Sequence, residues 1–326
     1  MLTLFRTNQP LANLLLLVYL GILRFSTFLH PPTIAPEPHG ILTGWMFAEL
    51  PPLSMAANIA TFFLIFFQAV ALNITVSRYR VATEISLLPG VFYCLVTSLM
   101  PDFLPMSSVL LANTFLILAL FYLFDTYKNT QVAGRIFDVG LWLGVASLFH
   151  FSYILFILWG IVGLGILRGL RPKEFVMFII GYAVPFFLLG VFCFWKNCLP
   201  QLAQHFWLNA DFLHFHAQNS QTLYVKLGLI GLLILLTVGA STLFFSRRNM
   251  TVQKYLSILY WLMLLGGVAT LIQSGIDLSH VLILAVPLGV LLSMVFQRIG
   301  AATAEALHML LLMVALILQF EYMLVG

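Results

Sequence analysis

Apolar runs of membrane-spanning length, repeated from one end of the chain to the other, limit what this sequence can fold into more than any motif does. About 20 such residues cross the roughly 30 Å hydrocarbon layer of a bilayer as an α-helix. Inside that layer every backbone N–H and C=O must be bonded within the protein, so spanning segments are helices or closed barrels. The period-two alternation of barrel strands is absent. Punctuation between the runs gives eleven expected spans, at 11–29, 53–73, 84–100, 107–124, 137–150, 152–168, 174–194, 223–245, 256–273, 279–297 and 302–324. Composition agrees, since 62% of the residues are hydrophobic and only 8% charged, against about 25% charged in soluble chains. The expected fold is all-α, a polytopic transmembrane helical bundle forming one integral-membrane domain over residues 1–326.

Charge placement orients the bundle. Cytoplasmic loops carry an excess of Lys and Arg. With the N-terminus cytoplasmic, twelve of the fifteen basic residues fall on that side, the exceptions being Arg24, Lys196 and Lys226. If 137–168 were one long helix, every later loop would change sides and the bias would collapse, so a tight hairpin is expected at His150-Phe151-Ser152. The C-terminus is then expected outside. The longest aqueous segments, 30–52 and 195–222, also lie outside. The N-terminal run is long for a signal h-region and no small-x-small site follows it. A net charge of +4 spread through short loops is no nucleic-acid footprint. Cys94, Cys193 and Cys198 form no recognisable metal or redox motif, although Cys193 and Cys198 are close enough in sequence to pair, with one of them expected inside a helix.

The polar residues divide unevenly on this map. His30, His39, His150, His205, His214, His216 and His280 fall at the outer face with Glu37, Glu49, Asp102, Asp211 and Asp277. Glu84, Glu174 and Glu305, on the inner side, suit first helical turns, where the dipole favours negative charge. Ionisable groups within spans are costly and tend to face a bundle interior or watery cavity, although a basic stem also snorkels to the headgroups. Three outer cations beside five acids point to a cavity for an anionic ligand, such as a phosphate on a lipid.

Residues 205–219, HFWLNADFLHFHAQN, contain three of the eight histidines. On a helix His205 and His216 share one face while Asp211 and His214 share another, and His214-x-His216 converges only on an extended segment. No local conformation uses all four as metal ligands, so no metal site is expected there. Asp211, His214 and, from the next outer loop, Asp277 are expected as cavity wall. In residues 30–50, HPPTIAPEPHGILTGWMFAEL, four prolines hold an extended backbone around Glu37, and 41–50 reads as a short interfacial helix anchored by Trp45.

The segment LLANTFLILALFYLFDTYKNTQVAGRIFDVGLWLGVASLFHFSYILFILWGIVGLGILR, residues 110–168, with its F-D-x-G-x-x-x-G-x-A-x-L-F pattern at 137–149, resembles an uncharacterised family of polytopic inner-membrane proteins of Bacteroidota. The likeness extends over most of the chain. More distantly the layout is similar to the GT-C superfamily of integral-membrane glycosyltransferases, which use polyprenyl-phosphate sugars. Three features carry that likeness. They are an outer loop bearing Glu37 and Glu49 before an interfacial helix, the small-residue segment Asp138–Ala146, and SHVLILAVPLGVLL at 279–292, with His280 where an arginine is usual and Pro287 in place. Glu stands where Asp is commoner in the first loop, that loop is short, and no soluble domain follows.

The second resemblance implies a bacterial inner-membrane enzyme with a membrane lipid, a polyprenyl-phosphate sugar, as donor. Arg24, Lys196, Lys226 or His280 would hold the lipid phosphate and stabilise charge on it as it leaves. Glu37 first, and Asp102 second, would deprotonate the acceptor hydroxyl. Mg or Mn is the ion that Asp102, Asp211 or Asp277 would take. A transporter or flippase, drawing on Asn58, Gln68 and Asn113, and a non-catalytic envelope subunit are the other readings the residues leave open.

Overall fold

The computed structural model describes residues 2–6, 10–31, 36–37, 39–82, 84–129, 131–169, 171–200, 221–241, 249–271 and 278–320. Among them the architecture is helical, without strands. The helices are α1 (Leu2–Phe5), α2 (Pro10–Leu23), α3 (Phe25–Leu29), α4 (Ile41–Glu49), α5 (Met55–Arg78), α6 (Leu88–Val96), α7 (Ser108–Asp125), α8 (Ala133–Phe149), α9 (Phe156–Arg168), α10 (Pro172–Trp195), α11 (Gln221–Gly239), α12 (Met250–Leu271), α13 (Ala285–Arg298) and α14 (Ala301–Gln319). Three 3-10 turns, Pro101–Phe103, Phe151–Leu155 and Leu278–Leu284, lead into α7, α9 and α13. Seven helical stretches among the described residues are long and apolar enough to cross a membrane.

Local chemistry explains where the helices start. Ser54 and Ser107 accept the Ala57 and Leu110 N–H groups at the heads of α5 and α7, supplying partners the first helical turn lacks. Pro172 opens α10 at a position that has no N–H to lose. The innermost elements are α6, with all nine residues buried, and α13, with eleven of fourteen buried, packed against each other. Outward-facing Phe187, Phe194, Leu310 and Met313 on α10 and α14 stay exposed, as lipid-facing positions of such a bundle would.

The small-residue pattern in α8 serves close packing. A Cβ on Gly140 or Gly144 would overlap the backbone of α10 at Phe178 and Tyr182, and one on Gly181 would overlap Phe137 O. Small residues let helix backbones approach this closely. Leu148 at the end of α8 clusters with Leu189 and Cys193 near the end of α10, beyond these glycine contacts, so α8 and α10 are parallel. Between them α9 runs back, because Arg168 at its end bonds Thr126 O and Asn129 O just ahead of α8. Residues 137–168 therefore form a hairpin, broken at His150 by an extended backbone (φ −146, ψ 117).

The stretch 84–100, expected as a span, is helical only over Leu88–Val96, about 14 Å at 1.5 Å per residue. The chain leaves the helix at Thr97 and turns through Pro101–Phe103 before α7 begins.

The bundle has two chemically distinct ends. At one, Asp125 accepts from Tyr79 (2.8 Å) and pairs with Arg135 (3.0 Å), while Arg168 pairs with Glu174 (3.1 Å) in the first turn of α10. The opposite end holds His39, His150, His280, Asp102 and Lys226.

Candidate functional site

Arg24 lies fully buried between α2 and α3, and its guanidinium has a structural task. Nε donates to Ser98 Oγ (3.3 Å), Nη1 to Leu104 O (2.8 Å), and Nη2 to Thr97 O (3.1 Å) and Phe103 O (3.0 Å). These are the carbonyls released where α6 ends and the chain turns into α7. Buried carbonyls need partners, and a planar guanidinium with five donors serves several at once. Next to it Ser26 Oγ donates to Gln319 Oε1 at 2.6 Å, and Gln319 Nε2 donates to Ser98 O. Arg24 was expected to bind a lipid phosphate, but its donors are taken up by the protein itself.

The loop ahead of α4 is seated on the C-terminal end of α8. Phe151 N–H donates to His39 O at 3.1 Å and Thr43 Oγ1 to Phe149 O at 2.7 Å. Between them Gly40 lies flat on the backbone, where any Cβ would fall inside the carbonyls of Leu148 and Phe149. This seating brings the half-buried His39 ring to 5.5 Å from His150 and 4.6 Å from His280, which are themselves 5.2 Å apart between centroids. His150 and His280 are buried, and His150 Nδ1 lies 2.9 Å from Ser108 Oγ at the head of α7. Gly40→Ala is expected to lift the loop and draw His39 out, at a cost of about 1–3 kcal/mol, the range for overpacking. A lower melting temperature in detergent and faster proteolysis of the loop would report it. Gly44→Ala is the control, because its Cβ meets open space.

Beside the histidines lies an ion pair. Lys226 Nζ on α11 donates to Asp102 Oδ2 at 2.8 Å, the side chains being 10% and 30% exposed. The 3-10 turn carrying Asp102 packs on the 3-10 turn carrying His280. The end of the bundle therefore combines a carboxylate, an ammonium and three imidazoles from five separate segments. Below them Asn113 bridges Tyr153 OH (2.7 Å) and Leu282 O (2.9 Å), and Gln68 accepts from Tyr93 OH (2.7 Å) while donating to Leu110 O (2.7 Å). Among the described residues no three His, Cys, Asp or Glu side chains are arranged to hold a metal ion.

The remaining expected residues separate. Glu37 and Lys196 are exposed, Lys196 as the cap of α10. Asp211, His214 and Asp277 lie outside the described residues. Missed in the sequence were the Asp102–Lys226 pairing and the convergence of His39, His150 and His280. The one local signal was the His39-Gly40 step, a glycine just ahead of a helix where a backbone can approach closely. The chain matches no family model, no curated protein and no solved structure.

Proposed function

We propose that the chain is a multi-span protein of the bacterial inner membrane, with its histidine end outside, that transfers a sugar from a polyprenyl-phosphate donor. The Asp102–Lys226 pair carries the reading: a half-open carboxylate beside a shielded ammonium, at the end of the bundle where lipid headgroups would lie. Asp102 takes the proton of the acceptor hydroxyl, whose oxygen attacks the anomeric carbon. The bond from that carbon to the phosphate oxygen breaks, and Lys226 stabilises the polyprenyl phosphate that leaves. His280 and His39 border the same space. Glu37 stands in solvent, so the base role is assigned to Asp102. The pair suffices for this chemistry, and no step uses Mg or Mn.

The test is transfer from a radiolabelled polyprenyl-phosphate sugar in proteoliposomes. Transfer lost in Asp102→Asn and retained in Glu37→Gln and His214→Ala supports the assignment; a wild-type rate in Asp102→Asn removes it. One observation favours transport instead. Asn58 and Thr61, buried on one face of α5, have side-chain polar atoms with no bonding partner among the described residues. Solute flux lost in Asn58→Leu but kept in Asp102→Asn would establish that alternative.

A further inference from the structure

Helix α10 ends in a motif whose two contact positions are both cysteine. Cys198 N–H donates to Cys193 O at 2.9 Å and Asn197 N–H to Phe194 O at 3.3 Å, with Asn197 in the left-handed region at φ 56. Those bonds, six-to-one and five-to-two around a left-handed residue, define a Schellman motif. The motif brings together the side chains at its first and last positions, usually as an apolar contact. Here those positions are Cys193 and Cys198, and the two side chains belong to one apolar cluster. Cys193 is buried with Leu148 and Leu189, while Cys198 packs on the same cluster and is partly exposed. Cys94, the third cysteine, is buried within α6.

We infer that Cys193 and Cys198 form a redox site, a dithiol that closes into an intramolecular disulfide by exchange with a disulfide-bearing oxidant, either a protein or a small molecule such as glutathione disulfide. The partly exposed Cys198 reacts first. Its thiolate attacks one sulfur of the oxidant, the oxidant's S–S bond breaks, and the other sulfur leaves as a thiolate. Cys193, giving up its proton, then attacks the Cys198 sulfur of the mixed disulfide and releases the second thiolate. The protein loses two protons and two electrons, and the oxidant gains them as two thiols.

A disulfide requires Cβ atoms about 4 Å apart, and the Schellman turn draws the side chains at its first and last positions toward each other. The bond would lock the left-handed turn at Asn197 and stiffen the end of α10. Ile41 and Leu42, in the first turn of α4, pack on the Cys193 cluster, so the same bond would brace the loop that seats His39. That this end meets an oxidising compartment rests on the outward orientation proposed above; the chemistry of the pair does not.

The experiment uses the full-length protein in detergent, equilibrated with glutathione mixtures of increasing oxidation, acid-quenched, denatured and labelled with a maleimide polymer. The expected result is three labels in the reducing mixture and one in the oxidising mixture, with a peptide linking Cys193 to Cys198 lighter by two hydrogens. Cys198→Ser should carry two labels throughout. Three labels in the most oxidising mixture, or loss of thiols only into cross-linked dimers, would overturn the site. Labelling in intact cells separates the two premises: a pair that oxidises when purified but stays reduced in cells sinks the orientation and leaves the redox chemistry standing.

Discussion

Arg24→Leu is expected to destabilise the bundle by about 3 kcal/mol or more, the largest structural effect of any single change considered for this protein. Three buried carbonyls, at Thr97, Phe103 and Leu104, would lose their donor, and each unpaired buried acceptor costs roughly 1–3 kcal/mol. Water entering from the bundle end would offset part of this, which is why the lower bound is the sensible figure. Arg24→Lys should recover only a fraction, because an ammonium lacks the flat fork that reaches several carbonyls together. Thermal melting of the purified protein in detergent is the measurement. The contrary result is a Leu variant that melts like the wild type yet no longer binds a lipid phosphate, which would return Arg24 to ligand binding.

For Asp102→Asn the expected loss is in transfer rate, by about 100- to 10,000-fold, the usual worth of a positioned general base. Stability should change less. The substitution deprives a 90%-shielded ammonium of a charged acceptor at 2.8 Å, at a cost of about 1–3 kcal/mol. Comparing single and double variants separates the two effects. Asp102→Asn combined with Lys226→Met should regain stability relative to Asp102→Asn, since no buried ammonium is left short of its partner. Transfer should stay lost in the double variant. A double variant that recovers both stability and transfer would show the pair to be a strut, and the reading of Asp102 as base would fall.

The small-residue segment shows how one sequence signal divides. Gly140 and Gly144 were readable as small residues suited to helix contact, and the tertiary structure sets them where a Cβ would strike a neighbouring backbone. The same residues had carried a resemblance to glycosyltransferases, and their observed contacts are those of packing. Arg24 divides in the opposite sense. Its cost inside a span was legible, and an anionic ligand was the expected remedy; the remedy in place is the broken end of α6 at Thr97 and the turn that follows it at Phe103 and Leu104. A helix that stops after nine residues leaves carbonyls for which hydropathy offers no marker.

From the sequence alone came the properties that add up residue by residue. Apolar runs of the right length can satisfy their backbones only as helices when withdrawn from water, so an all-helical protein with membrane-length apolar helices follows from composition and spacing. The gathering of polar groups does not add up in that way. His39, His150 and His280 are separated by more than a hundred residues at each step, as are Asp102 and Lys226. Whether they meet depends on where loops land on helix ends, and that is set by contacts such as Gly40 lying on the carbonyls of Phe149 and Leu148. Only the packed structure makes those contacts, because a backbone surface able to receive a glycine exists only once both helices are in place.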